Sequence, residues 1–186
     1  PSPSHNDMHN AQIPDPYVKS GGFRRDVLLP TQNWRSGPRF YFAINSKNTL
    51  VARYSFNHTT SPNQGVGDTR LISLASASSN KEHEIRLTET MIINPKTVDE
   101  TRFEYSDSDR DQTGDNSIPT ISVSSSFTGG GASIGHSFNR NKSWELNNFV
   151  STSLTKAMNH SFKVGGKLRH VTISDRSESN YAGNFS

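Results

Sequence analysis

Apolar and polar residues alternate along three long stretches of the chain, and each stretch reverses at a short polar turn. In the first, "RFYFAINSKNTLVARYSFNH" (39–58), apolar residues recur at every second position on both sides of the turn. A repeat of two sends alternate side chains to opposite faces of a strand. A three-residue loop at 46–48 would pair Phe42 with Ala52 and keep the apolar side chains together. The pattern therefore predicts a β-hairpin with one apolar face.

A second hairpin is predicted over residues 82–106. Its strands, "EHEIRLTETMII" and "VDETRFEYS", flank a turn that contains the Asn-Pro pair typical of turns. Pairing Asn94 with Val98 would bring Leu87 opposite Tyr105 and keep most apolar side chains on one face. Glu89 is an exception, because it falls on the apolar side.

A third hairpin is predicted over residues 143–171. Here "SWELNNFVSTSL" and "HSFKVGGKLRHV" flank the turn "TKAMN". Pairing Leu154 with His160 would align Leu146 with Leu168, which again collects the apolar side chains on one face.

Long polar segments separate the hairpins, whereas the turns within the hairpins are short. The segments run over roughly 59–81 and 107–141, and another begins near Ser174. Loops longer than about 12–15 residues are uncommon in compact domains. Short turns at one end and long loops at the other are typical of outer-membrane barrels, whose strands cross the bilayer in about 9–11 residues. We therefore predict an all-β fold: a segment of an antiparallel transmembrane β-barrel, built from long hairpins.

The composition agrees with this prediction. Hydrophobic residues make up 30% of the 186 residues, and the mean hydropathy is −0.73; a barrel wall needs only one apolar face and its loops need none. The absence of cysteine excludes a disulfide framework and thiolate metal sites. The net charge of +3 is spread along the chain and forms no basic stripe of the kind that binds nucleic acid.

Two regions follow from the pattern. Residues 1–36 are predicted to be irregular or loop structure, and residues 37–186 to be part of the barrel. The N-terminal stretch "PSPSHNDMHNAQIPDPY" has neither an initiator Met nor a signal-peptide pattern. We therefore expect the chain to be a fragment of a longer protein.

The two faces of the hairpins define the candidate functional residues. One face is expected to contact lipid and the other to line a wet lumen. The residues expected to face lipid are Leu50, Tyr54, Phe56, Ile85, Leu87, Phe103, Phe162, Val164 and Leu168. The residues expected to face the lumen are Arg53, Arg86, Lys163, Lys167 and Arg169.

The sequence gives little support for a metal-binding or catalytic site. Asp107, Asp109 and Asp111 in "SDSDRDQTGD" (106–115) are candidate oxygen ligands for Ca²⁺. The stretch lacks the Gly and Glu positions of an EF-hand loop, and a solvated surface loop is the favoured interpretation. No nucleophile stands beside a base in an activating pattern, so we expect neither an enzyme nor a cofactor.

Five segments in order resemble a known family. They are "INSKNTLVARYSFNHTTSPNQGVG" (44–67), "LTETMIINPKTVDETRFEY" (87–105), "PTISVSSSFTGGGASIG" (119–135), "HSFKVGGKLRHV" (160–171) and "NYAGNF" (180–185). They look like the barrel of a TonB-dependent receptor, most like the Oar-like group that carries a carboxypeptidase-regulatory-like N-terminal domain. The sequence contains no plug domain and no TonB box, and its strands are too few for the barrel of about 22 strands expected of such transporters.

The resemblance covers about 35–186 and implies a function and a set of partners. It implies a place in the outer membrane and uptake of a large or scarce solute. The implied partners are outer-membrane lipid, the solute, a plug domain and a TonB-type energy-transducing protein, the last two acting through regions that this sequence does not contain. Two alternatives stay open, because a one-sided sheet packed on a partner shows the same alternation: a passive porin-like channel, and a secreted or surface β-rich binding module resembling an adhesin.

Overall fold

The computed structural model describes residues 4–11, 23–124, 126–155 and 159–186, and most of these residues lie in β-strands. The strands are β1 (Ser4–Ala11), β2 (Phe23–Leu29), β3 (Gln32–Ser36), β4 (Arg39–Asn45), β5 (Asn48–Gln64), β6 (Ser76–Asn94), β7 (Thr97–Gly114), β8 (Thr120–Val123), β9 (Phe127–Gly130), β10 (Ser137–Thr155), β11 (Asn159–Arg176) and β12 (Asn184–Phe185). A one-turn 3-10 helix, Ile72–Leu74, connects β5 and β6. Among the residues described, no helix has the length and apolar character needed to cross a membrane.

Seven strands form one large antiparallel sheet. Across the sheet the order is β11, β10, β7, β6 and β5, and both β3 and β4 pair with β5. The five long strands, β5, β6, β7, β10 and β11, therefore lie side by side in the order in which they occur along the chain. This is the up-and-down arrangement of a barrel wall. The sheet is not closed within the described residues, as expected of a partial barrel, and the predicted fold class is confirmed.

Strands β3 and β4 together act as one outer strand with a local break. Both pair with β5 in the same register, Ser36 with Phe56 and Arg39 with Arg53. Between them the carbonyl oxygen of Pro38 still accepts a hydrogen bond of 3.1 Å from the amide of Tyr54. Pro38 has no amide hydrogen and therefore cannot donate the second hydrogen bond, to the carbonyl of Tyr54. The ladder of hydrogen bonds is interrupted at this point, although the register of β3 and β4 against β5 is the same.

The first hairpin has a shorter turn than the sequence predicts. Phe42 lies opposite Leu50, not Ala52, and the turn consists of Ser46 and Lys47 alone. A two-residue turn by itself would reverse the faces, but Ile44 is inserted as a β-bulge between Ala43 and Asn45. The extra residue brings the apolar side chains of the two strands back to the same face. The predicted pairing is therefore wrong by two residues, but the predicted grouping of side chains on one face holds.

The second hairpin repeats this construction, and the third follows the prediction. Ile93 is the bulged residue beside the turn at 95–96, and Leu87 lies opposite Phe103 instead of Tyr105. In both turns an asparagine carboxamide oxygen accepts the amide of the lysine two residues on, at 2.8 Å for Lys47 and 2.9 Å for Lys96. In the third hairpin Leu146 pairs with Leu168, as predicted; residues 156–158 of its turn lie outside the described residues.

The strands extend much further into the polar segments than predicted. Strands β5, β6, β7, β10 and β11 contain 17 to 19 residues each, and the connections shrink to 65–75 and 115–136. Residues 1–36, predicted to be irregular, also differ: they include β1 and β3, and β1 pairs with β2. The ladder bonds join backbone groups, so a polar sequence with no hydrophobic period still forms strands where neighbouring strands offer partners.

The small buried core lies at the loop end of the sheet, not against the sheet. Buried Val27 and Val66 pack with Leu29, Ile72 and Ala75. Beyond them, β8 pairs with β9 and β12 in a separate three-stranded sheet. Both faces of the large sheet are therefore left without a packed layer among the described residues, which suits a wall between two solvents and not a globular sandwich.

Candidate functional site

One face of the large sheet, here called the apolar face, carries rows of apolar side chains that run across the strands. Cross-strand partners define a row from β4 to β11. Its members are Phe40, Ala52, Leu87, Phe103, Leu146 and Leu168. Leu168 is 63% exposed and Val164, further along β11, is 72% exposed. A contiguous exposed apolar surface of this kind marks a face that contacts something other than water.

An aromatic row borders the apolar face on the side of the long loops. It contains Tyr54, Tyr105, Trp144 and His170, with Ile85 between the two tyrosines. The hydroxyl of Tyr54 and Nδ1 of His83 lie 2.7 Å apart. From Phe162 to His170 the apolar face runs for about 27 Å along the strand at about 3.4 Å per residue. At the tilt of about 35–45° that strands have in outer-membrane barrels this is about 20 Å of height, within the apolar band of about 25 Å between the aromatic girdles.

Polar side chains interrupt the apolar face near the short turns, and hydrogen bonds join them to one another. The carboxamide of Asn148 donates to Thr101 Oγ1 and Asp99 Oδ1, each at 2.9 Å. Asn48 donates to Glu89 Oε1 at 2.8 Å. The carboxamide oxygen of Asn48 is buried without a hydrogen-bond partner, but the donors that are paired in this way cost far less to remove from water than isolated ones.

The apolar face becomes charged beyond the aromatic row, and this region holds the candidate metal ligands. Asp107 and Asp109 lie on strand β7, not in a surface loop as the sequence suggested. Each sits beside a cation, with Lys142 Nζ 3.4 Å from Asp107 and Arg140 Nε 3.3 Å from Asp109. Asp111 lies 4.0 Å from the same arginine. No three His, Asp or Glu side chains converge on a metal site in the described part of the chain, so these carboxylates belong to ion pairs.

The opposite face, here called the charged face, carries a row of ionised side chains across six strands. The successive cross-strand partners are Arg39, Arg53, Arg86, Glu104, Glu145 and Arg169. Arg86 pairs with Glu104 at 3.0 Å and with Glu84 at 3.1 Å. Glu145 binds Lys167 at 2.8 Å, and Lys163 lies 4.6 Å above the ring centre of Phe149.

The residues predicted for the two faces fall on separate faces of the sheet. The nine residues expected to face lipid all lie on the apolar face, and the five expected to face the lumen all lie on the charged face, by the cross-strand register. Arg35, Arg39 and Glu145 also lie on the charged face, although the sequence pattern did not single them out. The alternation of Arg39 with Phe40 contained the signal for one of them, whereas Arg35 fell in the segment predicted to be irregular.

Side chains at the loop end tie the connection between β7 and β10 to the chain that follows β11. The Glu178 amide donates to Ser137 Oγ at 2.9 Å, and the Gly135 amide donates to the Glu178 carbonyl at 3.0 Å. The nearby Asn116 carboxamide and the Arg176 guanidinium, which pairs with the carboxylate, hold the pKa of the Glu178 carboxyl below its ordinary value. The carboxylate form is thus the form that the folded loops stabilise.

Protection of the Gly135 amide is expected to depend on pH through Glu178. A depressed folded pKa means that the stabilisation is present at neutral pH and is lost as the pH falls through that depressed value. Hydrogen exchange of residues 131–137, corrected for intrinsic rates, should show full protection at pH 7 and reduced protection below about pH 4. In Glu178→Gln the dependence should vanish; an unchanged dependence in that variant would assign the effect to another group.

Comparison with known families gives one match. A family described as "Outer membrane beta barrel domain" matches residues 10–186. No curated protein and no solved structure matches. The matched region includes the whole of the large sheet and the loop end.

Proposed function

This chain belongs to the outer membrane beta barrel domain family and is an outer-membrane protein, and on that basis we propose that it forms part of the barrel of a TonB-dependent transporter. In this proposal the apolar face contacts hydrocarbon and the charged face lines a water-filled lumen. The barrel takes up a large or scarce solute, and an inner-membrane partner supplies the energy. The chain is expected to have no catalytic role.

The observation that supports the lumen assignment is the separation of charge between the two faces. Along the stretch that carries the apolar rows, the row through Arg53, Arg86 and Arg169 lies on the charged face of six strands. Ionised side chains at that depth are costly in hydrocarbon and inexpensive in a wet lumen. The apolar rows on the other face have the opposite preference.

Strand length and the folded loop end favour a receptor with an extracellular platform. Strands of 17 to 19 residues exceed the roughly 9–11 residues that cross the hydrocarbon. Under the proposal, their polar halves project beyond the outer leaflet and carry the small sheet of β8, β9 and β12. A raised, ordered surface of this kind suits capture of a solute before transport.

Conductance of the full-length protein in planar bilayers separates a gated transporter from a passive channel. We expect no steady conductance, because a plug domain fills the lumen, and we expect crosslinking in intact cells to recover an inner-membrane energy-transducing protein. Steady ohmic conductance without such a crosslink would instead identify a porin-like channel. A secreted adhesin-like module is disfavoured by the family, whose members lie in the outer membrane.

A further inference from the structure

The first strands of the large sheet carry arginines in a stretch of chain that has no acidic residue. Between Asp26 and Asp68 the sequence contains no Asp or Glu, yet it contains Arg35, Arg39 and Arg53. All three arginines are exposed and all three lie on the charged face. This part of the charged face is therefore positive, unlike the strands beside it.

The register places like charges directly opposite each other. Arg39 pairs with Arg53, and Arg53 pairs in turn with Arg86 on the next strand. Directly opposed residues have Cβ atoms about 5 Å apart, and like charges in such positions are destabilising. Two consecutive Arg–Arg pairs are an arrangement that an anion between the guanidinium groups would stabilise.

Of Arg39, Arg53 and Arg86, only Arg86 has acidic partners within the described residues. Arg86 lies between Glu84 and Glu104, whereas the ion pairs of the described residues include neither Arg39 nor Arg53. The Arg39 guanidinium lies 4.8 Å above the ring centre of Tyr41. Such a contact orients the guanidinium but does not neutralise it.

The break between β3 and β4 leaves space beside these arginines. A shallow hollow of about 380 Å³ is lined by Arg35, Ser36, Gly37, Ser55, Phe56 and Asn57. A Cβ atom added to Gly37 would meet only the Tyr54 carbonyl oxygen, at 3.8 Å. The hollow lies beside Arg35 at the strand break, whereas Arg39 and Arg53 do not line it. Ser36 and Phe56 belong to the apolar face, so the hollow reaches the charged face only beside Arg35, where it offers room for a solute group.

We propose that Arg39 and Arg53, with Arg35 at the strand break, bind a solute that bears more than one carboxylate or phosphate group. The proposal rests on the proposed function, because it requires the charged face to line the lumen. Guanidinium groups match the two oxygens of a carboxylate or phosphate in bidentate geometry. Four residues along the outer strand separate Arg35 from Arg39 by about 13 Å, so the site suits a multivalent anion better than a single small ion.

Titration of the full-length protein with two probe anions tests the site. Citrate supplies carboxylates and pyrophosphate supplies phosphates, and calorimetry at constant ionic strength measures their dissociation constants. We expect at least one probe to bind, and the double variant Arg39→Gln/Arg53→Gln to weaken it at least tenfold. The matched control is Arg102→Gln, on the same face but paired with Glu100 at 2.7 Å, and it should change the affinity less than twofold. The probe that binds more tightly identifies the anion class.

The proposal is overturned if neither probe binds, or if Arg102→Gln weakens binding as much as the double variant, because a diffuse lumen potential would then suffice. Heat-modifiable mobility in gels checks that the double variant assembles; it should, because it removes repulsion. A spin label on the variant Ser143→Cys, on the charged face, separates the two proposals. Low accessibility of the label to oxygen dissolved in the bilayer, together with a flat titration, rejects the anion site alone, whereas high oxygen accessibility rejects the lumen assignment and the site together.

Discussion

Replacing Leu87 with arginine is expected to impair assembly of the barrel in the membrane. Leu87 lies in the apolar row between Ala52 and Phe103, one row inside the aromatic row. An arginine on the lipid face of a barrel costs about 2–4 kcal/mol near the midplane and about 0–1 kcal/mol near the interfaces, so an intermediate cost of about 2 kcal/mol is expected at Leu87, which is a large part of the stability of most proteins. The fraction of protein with heat-modifiable mobility after refolding into vesicles measures the loss.

The matched control is Thr90→Arg, three residues along the same strand. Thr90 lies on the charged face opposite Glu100, so the new guanidinium gains a carboxylate across the strands and stays in water. Assembly of this variant should resemble that of the unmodified protein. Equal assembly of the Leu87 and Thr90 variants would show that the apolar face is not the lipid face.

Deleting Thr88 from the middle of β6 is expected to be at least as disruptive. Thr88 pairs with Val51 on one neighbouring strand and with Arg102 on the other. Without it, the residues of β6 on one side of the gap move by one position and send their apolar side chains to the charged face. Refolding yield in vesicles should fall close to the background level.

Two further variants separate the phase of the strand from the loss of a residue. Deletion of Ile93, the bulged residue, leaves Asn94 to pair with Thr97 and Ile92 with Val98, so it removes the bulge without changing the faces and should assemble. Deletion of both Thr88 and Glu89 shifts the pairing by two residues, which preserves the faces, and it should assemble better than the deletion of Thr88 alone. If the deletion of Thr88 were the mildest of the three, the phase of the strand would not be what places the apolar side chains.

The faces of the strands could be predicted from the sequence because alternation is a local property. Arg53 and Tyr54 are neighbours in sequence, and a strand must send them to opposite faces. Every residue assigned to one of the two faces from the pattern shares its face with the others of its group in the structure. The predicted grouping holds although both turns are one residue shorter than predicted, because the bulge beside each turn makes the error in pairing two residues, an even number.

The exact register and the strand ends could not be predicted in the same way. A three-residue turn and a two-residue turn with a bulge preserve the same alternation, so the pattern around Ile44 does not distinguish them. The polar ends of β7 and β10 pair through backbone bonds, and residues such as Ser108 and Asn141 carry no hydrophobic signal for this pairing. Arg35 was missed for a related reason, since Pro38 makes its strand appear to begin later.

The sequence by itself therefore determined that this chain forms antiparallel hairpins with one apolar and one charged face, because apolar and polar residues alternate along each strand. Only the tertiary structure decided which side chains become neighbours across strands. The row of Arg39, Arg53 and Arg86 exists because three strands align, and the ion pairs of Asp107 and Asp109 exist because β10 lies beside β7. Such contacts join residues far apart in the chain, and their geometry is set by backbone hydrogen bonds that any sequence can form.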